Sequence, residues 1–234
     1  MENRQDQLHQ KTMIVYDRLQ DAYGFPTWRQ HLDPVSEIVS TILSQNTTDI
    51  NRDRAFESLK ARYPTWEEVR HAPLPEIEDA IRSAGMARQR APRIKHALTY
   101  IVEARGELSL DFLKEMPIEE AKAWLTGIKG IGPKTAAIVL LFSLGIPAFP
   151  VDTHVHRVTL RLGLAPARTS APKVQELMEA MMPEDAYYPY HINLITHGRR
   201  VCKAQRPRCT ECFLADLCDH FQENVQPAAE GHSQ

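Results

Sequence analysis

The chain has 234 residues, 43% hydrophobic and 25% charged, with a net charge of −2 and a pI of about 6.6. That is enough apolar material for the core of one large domain or two small ones, and it excludes a protein that is basic overall. No apolar run is long enough to span a bilayer and Met1 to Gln7 lacks the apolar core of a signal peptide, so a monomer in a reducing cytoplasm is expected, with no membrane partner.

In chain order, apolar residues recur at helical spacing in segment after segment, and no segment alternates as a strand would. Gly24 reads as the stop of a first helix, and Pro34 as the entry of a second that carries Val35, Ile38, Val39, Ile42 and Leu43 on one face. Thr65-Trp66-Glu67-Glu68 reads as a capping box. Pro92 is read as a helix entry, with Ile94, Ala97, Leu98, Ile101 and Val102 following and Gly106 as the stop. Arg88, Arg90, Arg93 and Lys95 make a basic stretch of the kind that is usually solvated surface. The fold class is therefore all-α.

A helix ending near Leu125 or Thr126 is followed by Gly127-Ile128-Lys129-Gly130-Ile131-Gly132 and then by a helix starting at Pro133. Gly130 and Gly132 permit positive φ and leave no side chains in the way, so main-chain N–H groups can approach a phosphate. The same spacing fits a plain glycine corner between helices, with Lys134 as a surface cation. Ala136 to Leu144 is apolar on all sides and is expected to run through the middle of the fold. A lysine at such a helix start is electrostatically disfavoured, and that field combined with desolvation would make its amine a better nucleophile. Asp152, just ahead of Thr153-His154-Val155-His156, reads first as a helix N-cap; near a lysine it could also hold a proton. His154, His156, His191 and His197 read as packing or hydrogen-bonding residues and receive no ligand role.

All four cysteines, Cys202, Cys209, Cys212 and Cys218, share one loop. One Cys-x2-Cys pair flanked by single cysteines leaves structural zinc and a four-iron cluster both open. Lys203, Arg206 and Arg208, between or beside the first two ligands, are expected to face outward toward phosphates. The polar last dozen residues read as a disordered tail.

Ile128 to Ala136, Val151-Asp152-Thr153-His154, His197-Gly198-Arg199 and the cysteine spacing together resemble the endonuclease III family of base-excision DNA glycosylases, from about Val35 to Cys218. Ile42 to Asp49 resembles that family's loop facing the DNA minor groove. The resemblance implies a six-helix barrel over 34–146 and a helical cluster domain from 1–33 and 147–222, with a tail over 223–234 and the catalytic cleft between the domains. It also implies a [4Fe-4S] cluster and action on double-stranded DNA containing damaged bases or abasic sites. Lys134 falls on the family's nucleophile and Asp152 on its catalytic aspartate, with Gly130, Ile131 and Gly132 gripping phosphate. The wedge that fills the gap left by a flipped base falls on Asn46 in an ungapped match, with Gln45 one place earlier. Oxidised pyrimidines are the family's default substrates, although relatives with similar motifs act on mismatched thymine, alkylated purines or methylated cytosine.

Overall fold

The computed structural model describes residues 2–225. Among the described residues every regular element is helical, and the chain divides into two compact units. One is formed by Arg29–Ile146. The other takes the chain up to Trp28 together with everything from Pro147 on. Helix α1 (Glu2–Tyr23) lies in the second of these and ends at Gly24, whose φ of 85° is the left-handed stop expected of a glycine there.

The unit of Arg29–Ile146 carries α2 (Pro34–Ser44), α3 (Asp49–Arg62), α4 (Trp66–His71), α5 (Leu74–Ala80), α6 (Ala87–Arg105), α7 (Ile118–Gly127) and α8 (Pro133–Ile138). Asp33 starts α2 by accepting the Ser36 N–H at 3.0 Å, with Pro34 pre-set for the first turn. Every residue from Pro34 to Leu43 is buried, so α2 is the central helix of this unit, packed by α3, α6 and the end of α8. Its apolar stripe Val35, Ile38, Val39, Ile42 and Leu43 is at most 3% exposed, worth roughly 1.5–3 kcal/mol per side chain against the unfolded chain. Glu37, buried among them, is bonded by His31 at 2.9 Å and Ser143 at 3.4 Å. The Thr65 capping box forms as its sequence indicates.

Two local expectations are corrected. Pro92 lies inside α6 rather than at its entry: the helix already begins at Ala87, where Arg90 N–H bonds Met86 O at 3.1 Å. Burial of Ala91, Ile94 and Leu98 outweighs the N–H that proline removes from the helix. The apolar run after Lys134 is buried as expected, yet it is α-helical only to Ile138 and widens into a π-helix over Val139–Leu144, closed by Gly145 at φ 69°.

The second unit adds α9 (Thr153–Leu162), α10 (Ala171–Met181), α11 (Tyr187–Arg200) and α12 (Asp219–Asn224) to α1. Helix α11 packs on both α1 and α9, around Tyr16, Phe149, Tyr187 and Tyr190, whose rings meet edge-on or tilted. Helix α12 covers two residues of the stretch 223–234 that composition gives to a tail. Residues 226–234 lie outside the described residues. No helix among the described residues is long and apolar enough to cross a membrane.

Candidate functional site

Helix α7 closes at Gly127, and Ile131 N–H bonds Ile128 O at 2.9 Å to tighten the turn that follows. Ile128 and Ile131 are buried and pin this hairpin to its unit, while Lys129, Gly130, Gly132 and Lys134 face solvent. Gly130 has φ 96°, a conformation glycine tolerates best, whereas Gly132 has φ −97° and an extended backbone. Positive φ is therefore required at one of the two glycines, not both. At Gly132 a β-carbon would meet nothing within 4 Å, so the outer side of the turn is open for a ligand's approach. No side chain caps α8, which leaves its leading N–H groups directed outward beside an exposed Lys134.

Asp152 belongs to the other unit. It is the N-cap of α9, its Oδ1 accepting the Val155 N–H at 2.7 Å, and it is half-buried. Its second oxygen remains available for other chemistry after the cap is made.

Gln45 and Asn46, alternatives in the sequence, are distinguished by their surroundings. The Gln45 amide oxygen accepts from Arg93 Nη1 at 2.9 Å and its main-chain carbonyl accepts from Arg90 Nη2, whereas Asn46 is exposed and left-handed at φ 52°. Arg90 is not the solvated cation its basic neighbourhood indicates: it is 1% exposed, because its guanidinium turns inward to main-chain carbonyls. Met86 stands out in the structure and not in the sequence. It is an apolar side chain 45% exposed, at φ 49°, immediately before α6. The sequence signal that could have found it is Gly85-Met86 ahead of a helix that lacks a capping side chain.

The four cysteines are free thiols that line one cavity with Val158, Leu162 and Phe221. Four thiols around one cavity supply the donor set of a four-iron cluster, with one cysteine for each iron. Burial pushes the thiols of Cys209, Cys212 and Cys218 up, Cys212 to about 11, while main-chain N–H groups near Leu214, His220 and Phe221 pull the other way. Such sulfurs ionise when a bound cation supplies the opposing charge, and the N–H groups are then in place to bond them. Arg161 adds a donor 3.5 Å from the Cys202 sulfur. Lys203, Arg206 and Arg208 are exposed, with Arg208 paired to Glu211 at 3.3 Å.

His197, read as a packing residue, does more than pack. Its Nδ1 lies 3.1 Å from the Tyr23 hydroxyl and its Nε2 3.6 Å from the Cys212 sulfur. Burial lowers its pKa to about 4, so the ring is neutral at pH 7 and carries one proton. With a cluster bound, a ligated Cys212 thiolate would accept only, which would place that proton on Nε2 and leave Nδ1 to accept from Tyr23.

Residues 39–184 match the family described as HhH-GPD superfamily base excision DNA repair protein, and residues 202–218 match the iron-sulfur binding domain of endonuclease III. The chain is similar to endonuclease III of Thermotoga maritima, 37% identical over 85% of this chain and 88% of that protein. Among solved structures it is similar to a non-covalent endonuclease III–DNA complex, with TM-score 0.80 and 28% identity over 93% of this chain and 98% of that one. A trapped endonuclease III–DNA covalent intermediate gives TM-score 0.79 and 28% identity over 92% and 97%. An all-α helix-hairpin-helix chain with a cysteine cavity of this kind belongs to the HhH-GPD superfamily of base excision DNA repair proteins, on its endonuclease III branch. It is thus a base-excision-repair DNA glycosylase with AP-lyase activity on duplex DNA, and it carries a [4Fe-4S] cluster.

Proposed function

We propose that Lys134 is the nucleophile of this glycosylase, that Asp152 assists it, and that oxidised pyrimidines in duplex DNA are its substrates. The observation that carries the reading is the placement of Lys134: an amine in the first turn of a helix that no side chain caps, followed by buried Thr135, Ala136 and Ala137, and exposed where its sequence position predicts desolvation. The neutral amine attacks C1′ of a nucleotide swung out of the duplex, the bond from C1′ to the base breaks, and the base leaves with the bonding electrons and is protonated. The nitrogen gives up a proton, for which the Asp152 carboxylate is the acceptor, and the same carboxylate offsets positive charge on the sugar. Opening of the C1′–O4′ bond, with a proton delivered to O4′, leaves an iminium. Loss of a C2′ proton then expels the 3′ phosphate, cutting the strand, and water releases the amine.

Gly130, Ile131 and Gly132 grip a phosphate through main-chain N–H groups, and Lys203, Arg206 and Arg208 contact the backbone further along. Asn46 is the wedge, supported by its exposure while Gln45 is engaged by two arginines. Cys202, Cys209, Cys212 and Cys218 hold the cluster, which shapes the basic loop without acting on substrate. The enzyme works as a monomer on the nucleoid in the cytoplasm. Borohydride added during turnover on thymine-glycol or abasic duplexes should trap a covalent protein–DNA adduct, which Lys134→Gln should lose along with strand cleavage. An adduct persisting in that variant would remove Lys134 from the role.

A further inference from the structure

We propose that Arg90 is a positioning residue that locks the turn at Gln45-Asn46 and the turn at Gly85-Met86 into a single two-pronged edge. The proposal rests on the reading above that the Asn46 turn faces DNA.

A buried guanidinium ordinarily has a carboxylate beside it, because an unpaired charge out of water is costly. Among the described residues Arg90 has none: the nearest charge acting on it is that of Arg93, which, after burial itself, further disfavours its charged form. Its Nε has no partner among the described residues. What the side chain does have is main-chain carbonyls. Nη1 donates to Ala84 O and Gly85 O, and Nη2 donates to Gln45 O. An apolar side chain in the same space would leave those three carbonyls without their donor, so the arginine's role lies in the two turns it joins.

The carbonyls it gathers are a particular set. The residue following Gln45 is Asn46 at φ 52°, and the residue following Gly85 is Met86 at φ 49°. Only four non-glycine residues among those described have positive φ, and two of them stand directly after carbonyls that one guanidinium holds. Left-handed backbone at a non-glycine residue is disfavoured and persists where surrounding contacts impose it. The other bonds at these turns close each one separately: Thr47 N–H to Ser44 O at 3.4 Å in the first and Gly85 N–H to Arg82 O at 3.0 Å in the second. Both strained residues are exposed, one an amide and the other a flexible apolar thioether. The rigid planar fork of Arg holds carbonyls of both turns in a fixed geometry, whereas a lysine ammonium is a point charge on a flexible stem. Arg93, one helical turn on, adds a bond to the Gln45 side chain, so Gln45 is the fixed base from which Asn46 projects.

Two turns that act as one edge must be energetically coupled through the residue that joins them. The test is single-turnover excision of thymine glycol from duplex DNA by Asn46→Ala, Met86→Ala and the double variant, each made with Arg90, with Arg90→Met and with Arg90→Lys. With Arg90 present, the double variant should lose much less than the product of the two single losses. Arg90→Met or Arg90→Lys should itself slow excision by on the order of 10²-fold, the scale of a misplacement of about 1 Å, and should make the two tip substitutions independent. Arg90→Lys keeps the charge and most of the volume, so it reports even where Arg90→Met fails to fold; unfolding temperature monitors both. Undiminished rate and undiminished coupling in a folded Arg90→Lys protein would overturn the proposal. If Asn46→Ala and Met86→Ala leave excision unchanged in the parent protein, it is the DNA-facing reading of the turn that falls, a separate result.

Discussion

Arg93 sets its Nη1 2.9 Å from the Gln45 amide oxygen while its aliphatic stem passes Gly130, with Cδ 3.4 Å from the point a β-carbon on that glycine would occupy. One side chain therefore touches both the hairpin and the α2 turn. Gly130→Ala should be damaging because its φ of 96° strains any side chain, while the added carbon would rest in ordinary contact with Arg93. A loss of about 1–3 kcal/mol in unfolding free energy is expected. Gly132→Ala meets no such strain and should keep the parent's stability, yet the methyl would stand where phosphate approaches and should weaken DNA binding. Denaturant unfolding and titration of a labelled duplex separate the two. Equal stability losses at both positions would contradict the assignment of positive φ to Gly130 alone.

The aromatic cluster of the second unit makes stability sensitive to alkali. Burial, then Glu179 and Glu184, push the Tyr187 hydroxyl up to about 12, and burial also raises Tyr16 and Tyr190. These groups fold neutral and ionise more readily when unfolded, at about pH 10. Their contribution is therefore complete below pH 10 and is lost as pH rises from about 10 toward 12. The unfolding temperature should be level up to that window and then fall. Tyr187→Phe should cost about 1 kcal/mol at neutral pH, since the hydroxyl donates to Glu179 O at 2.8 Å. Tyr190→Phe should be neutral or stabilising, because that buried hydroxyl has no partner among the described residues. Calorimetry on the two variants would show opposite signs; a large loss in Tyr190→Phe would refute this.

What could be read in the sequence is what local chemistry decides. The α2 stripe, the Thr65 box, the glycine stops at 24 and 106 and the Asp152 cap each depend on neighbours a few residues away. Pro92 misled because proline is tolerated in a first turn, and only the burial of Ala91 and Ile94 shows the helix already under way. The π-helix at Val139–Leu144 left no trace, since an apolar run on all sides has the same composition in either helix type. Arg90 looked like its exposed basic neighbours because its partners are carbonyls 5, 6 and 45 residues away, and carbonyls carry no letter in a sequence. The tie from His197 to Cys212 joins two side chains that the sequence does show, but only the folded loop between them brings the pair together.

His197 sets its Nε2 3.6 Å from the Cys212 sulfur and its Nδ1 3.1 Å from the Tyr23 hydroxyl, so with the cluster bound Nε2 would donate to the sulfur and Tyr23 would hold the tautomer that permits it. Donors to cluster sulfurs favour the more negative, reduced state and so raise the reduction potential. Tyr23→Phe removes the partner that holds Nδ1 as acceptor, leaving the ring free to reorient and weakening the sulfur bond. The potential of the purified holoprotein, followed by redox titration of its visible or EPR signal, should shift negative in Tyr23→Phe. His197→Leu should shift it further while four irons per chain are retained. An unchanged potential in both variants at full iron content would show that the bond does not tune the cluster.

Asp152 carries two roles whose consequences differ by substitution. As an N-cap it needs only an acceptor oxygen for the Val155 N–H, 2.7 Å away, and asparagine supplies one. As a proton acceptor it needs the charge, which asparagine lacks. Asp152→Asn should accordingly unfold within a few tenths of a kcal/mol of the parent, while single-turnover excision falls on the order of 10²–10⁴-fold, the range for removing a general base. Asp152→Ala loses both functions and should cost about 1 kcal/mol of stability in addition to the rate. Borohydride trapping on preformed abasic DNA provides the cross-check, because Lys134 is intact in both variants and the adduct should still form, more slowly. Full excision activity in a stable Asp152→Asn protein would leave the residue as a cap and nothing more, and the proton acceptor would have to be sought elsewhere.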